Sequence, residues 1–399
     1  MDRIVITGMG AISALGIGKE DFWEGLVAGR NAITEIESFD TREYRTHRGG
    51  EVKGFRPDEG TEGMGRAAQF AIHAAREALA DAGLNAAALP AFRTGLSMGT
   101  TMWESQLRER IGDLMTRSQL DAVRRDLVPL ADPGALTANI ARALQLRGPA
   151  NLVLTACAAG NYALAHGASL LRSGTSDIVL AGGSDPISRI AYTGFNSMLA
   201  IAPERCQPFD RNRKGLVPGE GCAILVMERE PFARKRGART YGELAGYGIS
   251  NDAHHMTSPH PEACGAIRAM TRALASASIA PAQVDYISAH GTGTPANDKI
   301  ETLAVKRVFG DTARRTPISS IKSMLGHTMG AASMLEAVAC LLAIERGIVP
   351  PTIHYEERDP ECDLDYVPNQ ARAHQVDVAL SNAYAIGGHC SSIVLRRVN

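Results

Sequence analysis

Residues Arg76-Glu77-Ala78-Leu79-Ala80-Asp81-Ala82-Gly83-Leu84 close a helical pattern and lead through a polar connector to a β run at 94–98 that ends in Gly99-Thr100. Residues Thr271-Arg272-Ala273-Leu274-Ala275-Ser276-Ala277-Ser278-Ile279 do the same, leading to a β run at 284–290 that ends in Gly291-Thr292. Both are helix, connector, strand and Gly-Thr, a little under half the chain apart. Ala-rich helices match one another readily, so the pair gains weight from its surroundings. Short β runs at 3–8, 94–99, 152–156, 177–183 and 221–228 alternate with helical stretches at 66–82, 158–172 and 261–279. In the first of these stretches Phe70, Ile72, Ala75 and Leu79 approximate a 3.6-residue period. Such alternation predicts an α/β fold with its sheet covered on both faces, and the repeat predicts a duplicated one. The halves, 1–235 and 236–399, meet near 229–239, where Arg234-Lys235-Arg236-Gly237 reads as a solvated basic link.

Composition narrows the function. Across 399 residues, 42 Lys and Arg against 43 Asp and Glu leave a net charge of −1, which removes the broad electrostatic case for nucleic acid or an anionic membrane. Apolar runs fall far short of the ~18 residues a membrane span needs, and the opening run is too short for a signal peptide. Seven cysteines, odd in number and without a C-x-x-C pair, argue against a disulfide framework or a zinc knuckle. The expectation is a reduced, cytoplasmic compartment.

The chemistry concentrates in a few segments. In Thr155-Ala156-Cys157-Ala158-Ala159-Gly160 a β run turns through small residues into a helix, which puts Cys157 at a helix N-terminus where the dipole favours a thiolate. Cys157 reads either as a nucleophile or as a small buried hydrophobe. His290 leaves a β run into Gly291-Thr292-Gly293-Thr294, where Thr292 and Thr294 offer hydroxyls to a polar substrate arm. Asp298 and Glu301 have D-x-x-E spacing, read as a capping box for a helix at 299–308. Lys322 stands five residues before His327, and Glu336 lies inside an otherwise apolar helix, either paired with Lys322 or on the surface. Gly387-Gly388, before a last strand at 391–395, offer backbone N–H groups to an oxyanion or form a plain turn. His254 and His255 have no carboxylate or cysteine at helical ligand spacing, so a loop is the simpler reading and no residue is assigned to a metal.

Together these segments resemble the β-ketoacyl-[acyl-carrier-protein] synthases, most closely the elongating type II enzymes and the ketosynthases of polyketide pathways. The resemblance spans nearly the whole chain, from Val5-Ile6-Thr7-Gly8-Met9-Gly10 and Thr155-Ala156-Cys157 through Pro208-Phe209-Asp210 and Gly219-Glu220-Gly221. It continues through Asp252 to Pro259, His290-Gly291-Thr292-Gly293-Thr294, Lys322-Ser323-Met324-Leu325-Gly326-His327 and Asn382 to Gly388. It implies the thiolase fold: two βαβαβαββ halves in a five-layered αβαβα arrangement, the first carrying the nucleophilic cysteine and the second the two catalytic histidines. It implies Cys157 as the acyl-accepting nucleophile, and His290 and His327 as the pair that promotes malonyl decarboxylation. Lys322 and Glu336 are implied as the electrostatic pair behind them, Thr292 and Thr294 as holders of the phosphopantetheine arm, and the N–H groups of Cys157 and Ile386 as an oxyanion hole. No cofactor is implied beyond the phosphopantetheine of an acyl carrier protein. The implied partners are that carrier, docked on a basic patch with Arg124 and Arg125, and a second ketosynthase-like subunit in a homodimer or heterodimer. Neither nucleic acid nor membrane is expected.

Two stretches depart from the family pattern. The closing motif Asn-Ser-Phe-Gly-Phe-Gly-Gly-Thr-Asn stands here as Asn382-Ala383-Tyr384-Ala385-Ile386-Gly387-Gly388-His389-Cys390, so the gating phenylalanine is Ile386 and a hinge glycine is Ala385. Met102-Trp103-Glu104 occupies the acyl-pocket loop where the family has Ile-Gly-Gly, and Trp103 is expected to fill volume left by the missing ring. Both departures concern substrate admission. They point to a specialised polyketide or lipid pathway, with housekeeping fatty-acid elongation as the alternative. A non-condensing partner subunit is a further alternative, and Cys157 speaks against it; Cys390 in the final glycine loop invites a thiolase reading, which the two histidines outweigh.

Overall fold

Five strands from the first half of the chain are matched by five from the second. They are β1 (Ile4–Ser13), β2 (Thr94–Gly99), β3 (Ala150–Val153), β4 (Ile178–Asp185) and β5 (Gly221–Arg229), then β6 (Gly242–Asn251), β7 (Tyr286–Ser288), β8 (Ile318–Ser319), β9 (Val378–Tyr384) and β10 (His389–Arg396). The computed structural model describes residues 2–119, 121, 123 and 128–398; Arg124 and Arg125, the expected docking pair, lie outside the described residues. The ten strands form one path, β8-β7-β9-β10-β6-β1-β5-β4-β2-β3. Read outward from the β6–β1 seam, each strand n of the first half meets its counterpart n+5. The pairing matches as well: β1–β5 and β5–β4 are antiparallel and β4–β2–β3 parallel, as are β6–β10, β10–β9 and β9–β7–β8 in turn. The seam itself is held by the registered pairs Val5–Glu243 and Ile6–Gly242.

Six helices complete the correspondence: α1 (Arg66–Asp81), α2 (Pro133–Ala143) and α3 (Ala159–Arg172), matched by α4 (Cys264–Ala277), α5 (Pro295–Phe309) and α6 (Ala332–Arg346). α1 and α2 cover one outer face, α4 and α5 the other, and α3 and α6 pack against each other between the sheet halves. This is the five-layered αβαβα order of the thiolase fold. The central layer is the most apolar: from Ala332 to Ile344 every residue of α6 is buried, Glu336 included.

The repeat seen in the sequence has a steric cause. A methyl group on Gly8 or Gly10 of β1 would overlap the backbone carbonyls of Ala78 or Ala74 in α1. A methyl on Gly246 or Gly248 of β6 would overlap those of Ala273 or Ala269 in α4. Both outer helices lie so close to their strands that only glycine fits on one side and alanine suits the other. Ala78 and Ala273 stand at the same place in Arg76–Leu84 and Thr271–Ile279, and Ala74 and Ala269 stand one turn before them. The basic link is less solvated than its composition suggests, because Arg236 donates to the buried Glu228 and to Ala82 O. Among the described residues, no helix is long and apolar enough to cross a membrane, and all seven cysteines are unpaired.

Candidate active site

The two central helices begin with the same turn. Before α3, Thr155-Ala156-Cys157-Ala158 runs through a 3₁₀ turn with Ala156 at φ +47°. Before α6, Thr328-Met329-Gly330-Ala331 runs through another, with Met329 at φ +54°. Positive φ is costly for a residue with a side chain, and here it bends the chain so that the next residue faces inward. Cys157 and Gly330 are therefore counterparts. The helices touch at these ends: Asn161 N–H donates to Ser333 Oγ, and Gly160 lies against Met334. The contact carries the cysteine of one half to the histidines of the other.

Cys157, His290, Thr292, Thr294, His327 and Ile386 line one cavity of about 410 Å³. The imidazoles of His290 and His327 are buried, 5.6 Å apart between centroids and nearly perpendicular. Burial, and then the charge of Lys322, hold both well below the ordinary histidine range, so both rings are neutral near pH 7. His327 Nδ1 accepts a 3.0 Å hydrogen bond from Met329 N–H, which leaves its proton on Nε2. His290 Nδ1 has no such partner among the described residues. Lys322 Nζ donates to Glu336 and, at 2.6 Å, to His290 O, so the ion pair stands directly behind the histidine backbone. Thr292 and Thr294 hydroxyls lie 2.9 Å apart.

Three expectations need correction. Cys157 is not a resting thiolate: burial pushes its thiol up to about 12, against the pull of Lys322, and this outweighs the helix dipole. Asp298 and Glu301 do not form a capping box. Pro295 opens α5, so Thr294 is its N-cap, and both carboxylates point inward. Glu301 accepts the N–H groups of His290 and Gly291, each at 2.8 Å, and Asp298 accepts those of Phe209 and Gly293. Met102 and Trp103 do not join the cavity. Met102 N–H is bound to Asp185, while Trp103 donates to Ala131 O beneath the Arg108 guanidinium, so it fills no space beside Ile386.

Asp185 and Lys214 left no recognised pattern in the sequence, and Tyr384 and Cys390 stood in the closing motif without a role. Asp185 gathers Thr100 Oγ1 and the N–H groups of Thr101, Met102 and Gly330, tying the loop after β2 to the turn before α6. Burial pushes it up to about 6, and Glu301 up to about 7. Tyr384 packs edge-on against His290 at 5.6 Å. Lys214 stands on the cavity wall, and Cys390 lines it too, with its Sγ 3.5 Å from Gly388 O. The only sign of Glu301 in the sequence was the D-x-x-E spacing; Asp185 binds mostly backbone groups far along the chain.

Residues 1–233 match the model for the N-terminal domain of β-ketoacyl synthases, and residues 241–356 match that for the C-terminal domain. The chain belongs to the β-ketoacyl synthase family. It is a condensing enzyme, an acyltransferase that builds β-ketoacyl products. It is 39% identical to the 3-oxoacyl-[acyl-carrier-protein] synthase 2 of Synechocystis sp., covering 99% of this chain and 98% of that one. It is 41% identical to the tetracenomycin polyketide synthase ketoacyl synthase alpha subunit of Streptomyces glaucescens, covering 99% and 97%. Among solved structures, the ishigamide ketosynthase/chain length factor superposes with a TM-score of 0.95 at 40% identity, with both chains fully covered. The similarity thus reaches both a 3-oxoacyl-[acyl-carrier-protein] synthase and a polyketide synthase subunit.

Proposed function

We propose that the enzyme holds an acyl chain as a thioester on Cys157 and condenses it with a malonyl group carried by an acyl carrier protein. The observation that carries this reading is one cavity shared by Cys157 and two neutral imidazoles, one with its proton fixed on Nε2. In acyl transfer, His290, whose tautomer is not locked, accepts the thiol proton and passes it to the departing carrier thiolate. In condensation, the malonyl carboxylate leaves as CO₂ and its electron pair moves into an enolate. Nε2–H groups of His327 and His290 hydrogen-bond that enolate oxygen. The enolate carbon then attacks the thioester, and the Cys157 sulfur leaves as a thiolate and takes the one proton the reaction consumes from solvent. Lys322 and Glu336 act through the histidines: the lysine charge keeps the rings neutral and fixes His290 O, and the carboxylate balances that charge. Thr292 and Thr294 hold the phosphopantetheine arm, and the N–H groups of Cys157 and Ile386 receive the thioester oxyanion.

The carrier protein and a second ketosynthase-like subunit follow from the relatives named above, whose names include an acyl carrier protein and a chain length factor. Carrier docking at Arg124 and Arg125 is part of the same proposal, as is the division into functional halves 1–235 and 236–399. Unpaired cysteines favour work in the reduced cytoplasm. Ala385 and Ile386 favour a specialised polyketide or lipid pathway over housekeeping elongation.

Intact-mass analysis after incubation with a panel of acyl-carrier-protein thioesters tests the reading. An acyl adduct on Cys157, absent in Cys157→Ala, is expected. An adduct on Cys390 would replace this scheme with a thiolase-like one.

A further inference from the structure

The loop between β6 and α4 does more than line the cavity mouth. His260 Nδ1 or Nε2, a Glu262 carboxylate oxygen and Cys264 Sγ all lie within 4.8 Å of one another. The His254 ring, from the same loop, is centred 4.9 Å from that of His260. Six of the seven cysteines are buried, and Cys264 alone is partly open to solvent. The segment is fixed at both ends by one carboxylate: Asp252 Oδ2 accepts His260 N–H at 3.0 Å, and its Oδ1 accepts Gly265 N–H at 2.8 Å.

We propose that His260, Glu262 and Cys264, with His254 as fourth ligand, bind a divalent cation of the Zn²⁺ class on the rim of the cavity. One thiolate, two imidazoles and one carboxylate are the donor types of tetrahedral zinc, and sulfur selects against the harder Mg²⁺ and Ca²⁺. Tetrahedral ligands at zinc bond lengths stand roughly 3.5 Å apart, so the donor atoms of His260, Glu262 and Cys264 close by about 1 Å, and the His254 ring, outside that cluster, turns in to complete the set. On ligation the Cys264 thiol gives its proton to solvent and the metal takes the sulfur lone pair. If His260 binds through Nδ1, the coordinate bond replaces its 3.1 Å contact with Glu262 N–H.

The site braces a functional element. His255 to Pro259 line the cavity mouth, and this loop carries the gate: Gly387 N–H donates to Met256 O, and Asp252 N–H donates to Gly388 O, both at 2.8 Å. Metal on the rim therefore tightens the support beneath Ala385 and Ile386.

The test uses the full chain in a Cys157→Ala background, so that the cavity cysteine cannot join His290 and His327 in binding metal. After chelator treatment, Zn²⁺ is titrated against a chromophoric chelator, and Co²⁺ is used as the spectroscopic probe. One equivalent of Zn²⁺ is expected, weakened tenfold or more by either Cys264→Ser or His260→Ala. Co²⁺ should give a thiolate charge-transfer band that Cys264→Ser removes, with the strong visible bands of a tetrahedral ion. Amide exchange across 253–263 should slow when Zn²⁺ is added. Binding that is indifferent to Cys264→Ser, or a Co²⁺ spectrum without charge transfer, overturns the proposal.

Discussion

The neutral imidazoles set what each residue can do. Enolate stabilisation needs N–H donors, and a pair of neutral rings supplies them without two added charges in a buried cavity. Removing one such donor costs on the order of 10²–10³-fold in rate, so His290→Ala or His327→Ala should each lower condensation by about that factor. The two variants should separate in acylation. His327→Ala is expected to load Cys157 at nearly the wild-type rate, whereas His290→Ala loads slowly, since His290 takes the thiol proton; mass spectrometry of the acyl-enzyme over time checks this. The pH profile gives a second test. The reactive form has neutral histidines, so activity falls as pH drops through their pKa, which lies well below the ordinary 6.5. Lys322→Met with Glu336→Gln removes the charge that depresses both rings without leaving an unpaired carboxylate. Its acid limb for malonyl decarboxylation should move to higher pH. An unmoved limb would mean that burial alone sets the protonation state.

At the scale of elements, the gate loop is the departure with most consequence. Gly387 and Gly388 have φ of +91° and +78°, while Ala385 lies outside the left-handed region. The substitution at 385 is thus accommodated in this conformation, and what it removes is freedom to reach another one. Ile386, stiff at χ1 and 38% exposed at the mouth, does not swing as a phenylalanine would. Because Trp103 is held elsewhere, nothing in its loop compensates for the missing ring, and the channel should be wider near Ile386. Ile386→Phe with Ala385→Gly should lower kcat/KM for a polyenoyl carrier relative to a saturated one of equal length, by about 10-fold or more given what one pocket contact is worth. An unchanged ratio would return the enzyme to the housekeeping reading. What the sequence disclosed here follows from how each element is built. The nucleophile turn was legible because small residues must flank Cys157. Glu301 was misread because D-x-x-E fits a capping box, although Pro295 already fixes the N-cap one residue earlier. Asp185 was invisible, since its partners are mostly backbone amides some 85 and 145 positions away.

The duplication governs the whole molecule, and the same close packing that made it readable also makes it fragile. Gly248→Ala would press a methyl into the Ala269 carbonyl, where neither backbone can yield freely, and should cost ~1–3 kcal/mol in chemical denaturation. Gly112→Ala is the control: it sits exposed in the helix Ser105–Thr116 with open space around its Cα, and should be neutral or stabilising.

The sheet path has a further consequence at its ends. β3 terminates it with one side unpaired, Leu154 beside it is half exposed, and Phe92 is more exposed still. Such an edge invites another strand. Leu96 N–H donates to Pro149 O and Thr100 N–H to Val153 O, so residues 149, 151 and 153 face β2 and the amide of Leu152 faces outward. A second subunit, identical or ketosynthase-like, would continue the sheet across this edge. Leu152→Pro removes an outward donor while sparing the β2 ladder, and Leu154→Lys places a charge where the two chains meet. Light scattering should show the two-chain mass of the parent assembly falling to one chain in the double variant, with circular dichroism unchanged. If the mass stays at two chains, the subunits join through another face, and the open edge of β3 is protected by the shortness of the strand alone.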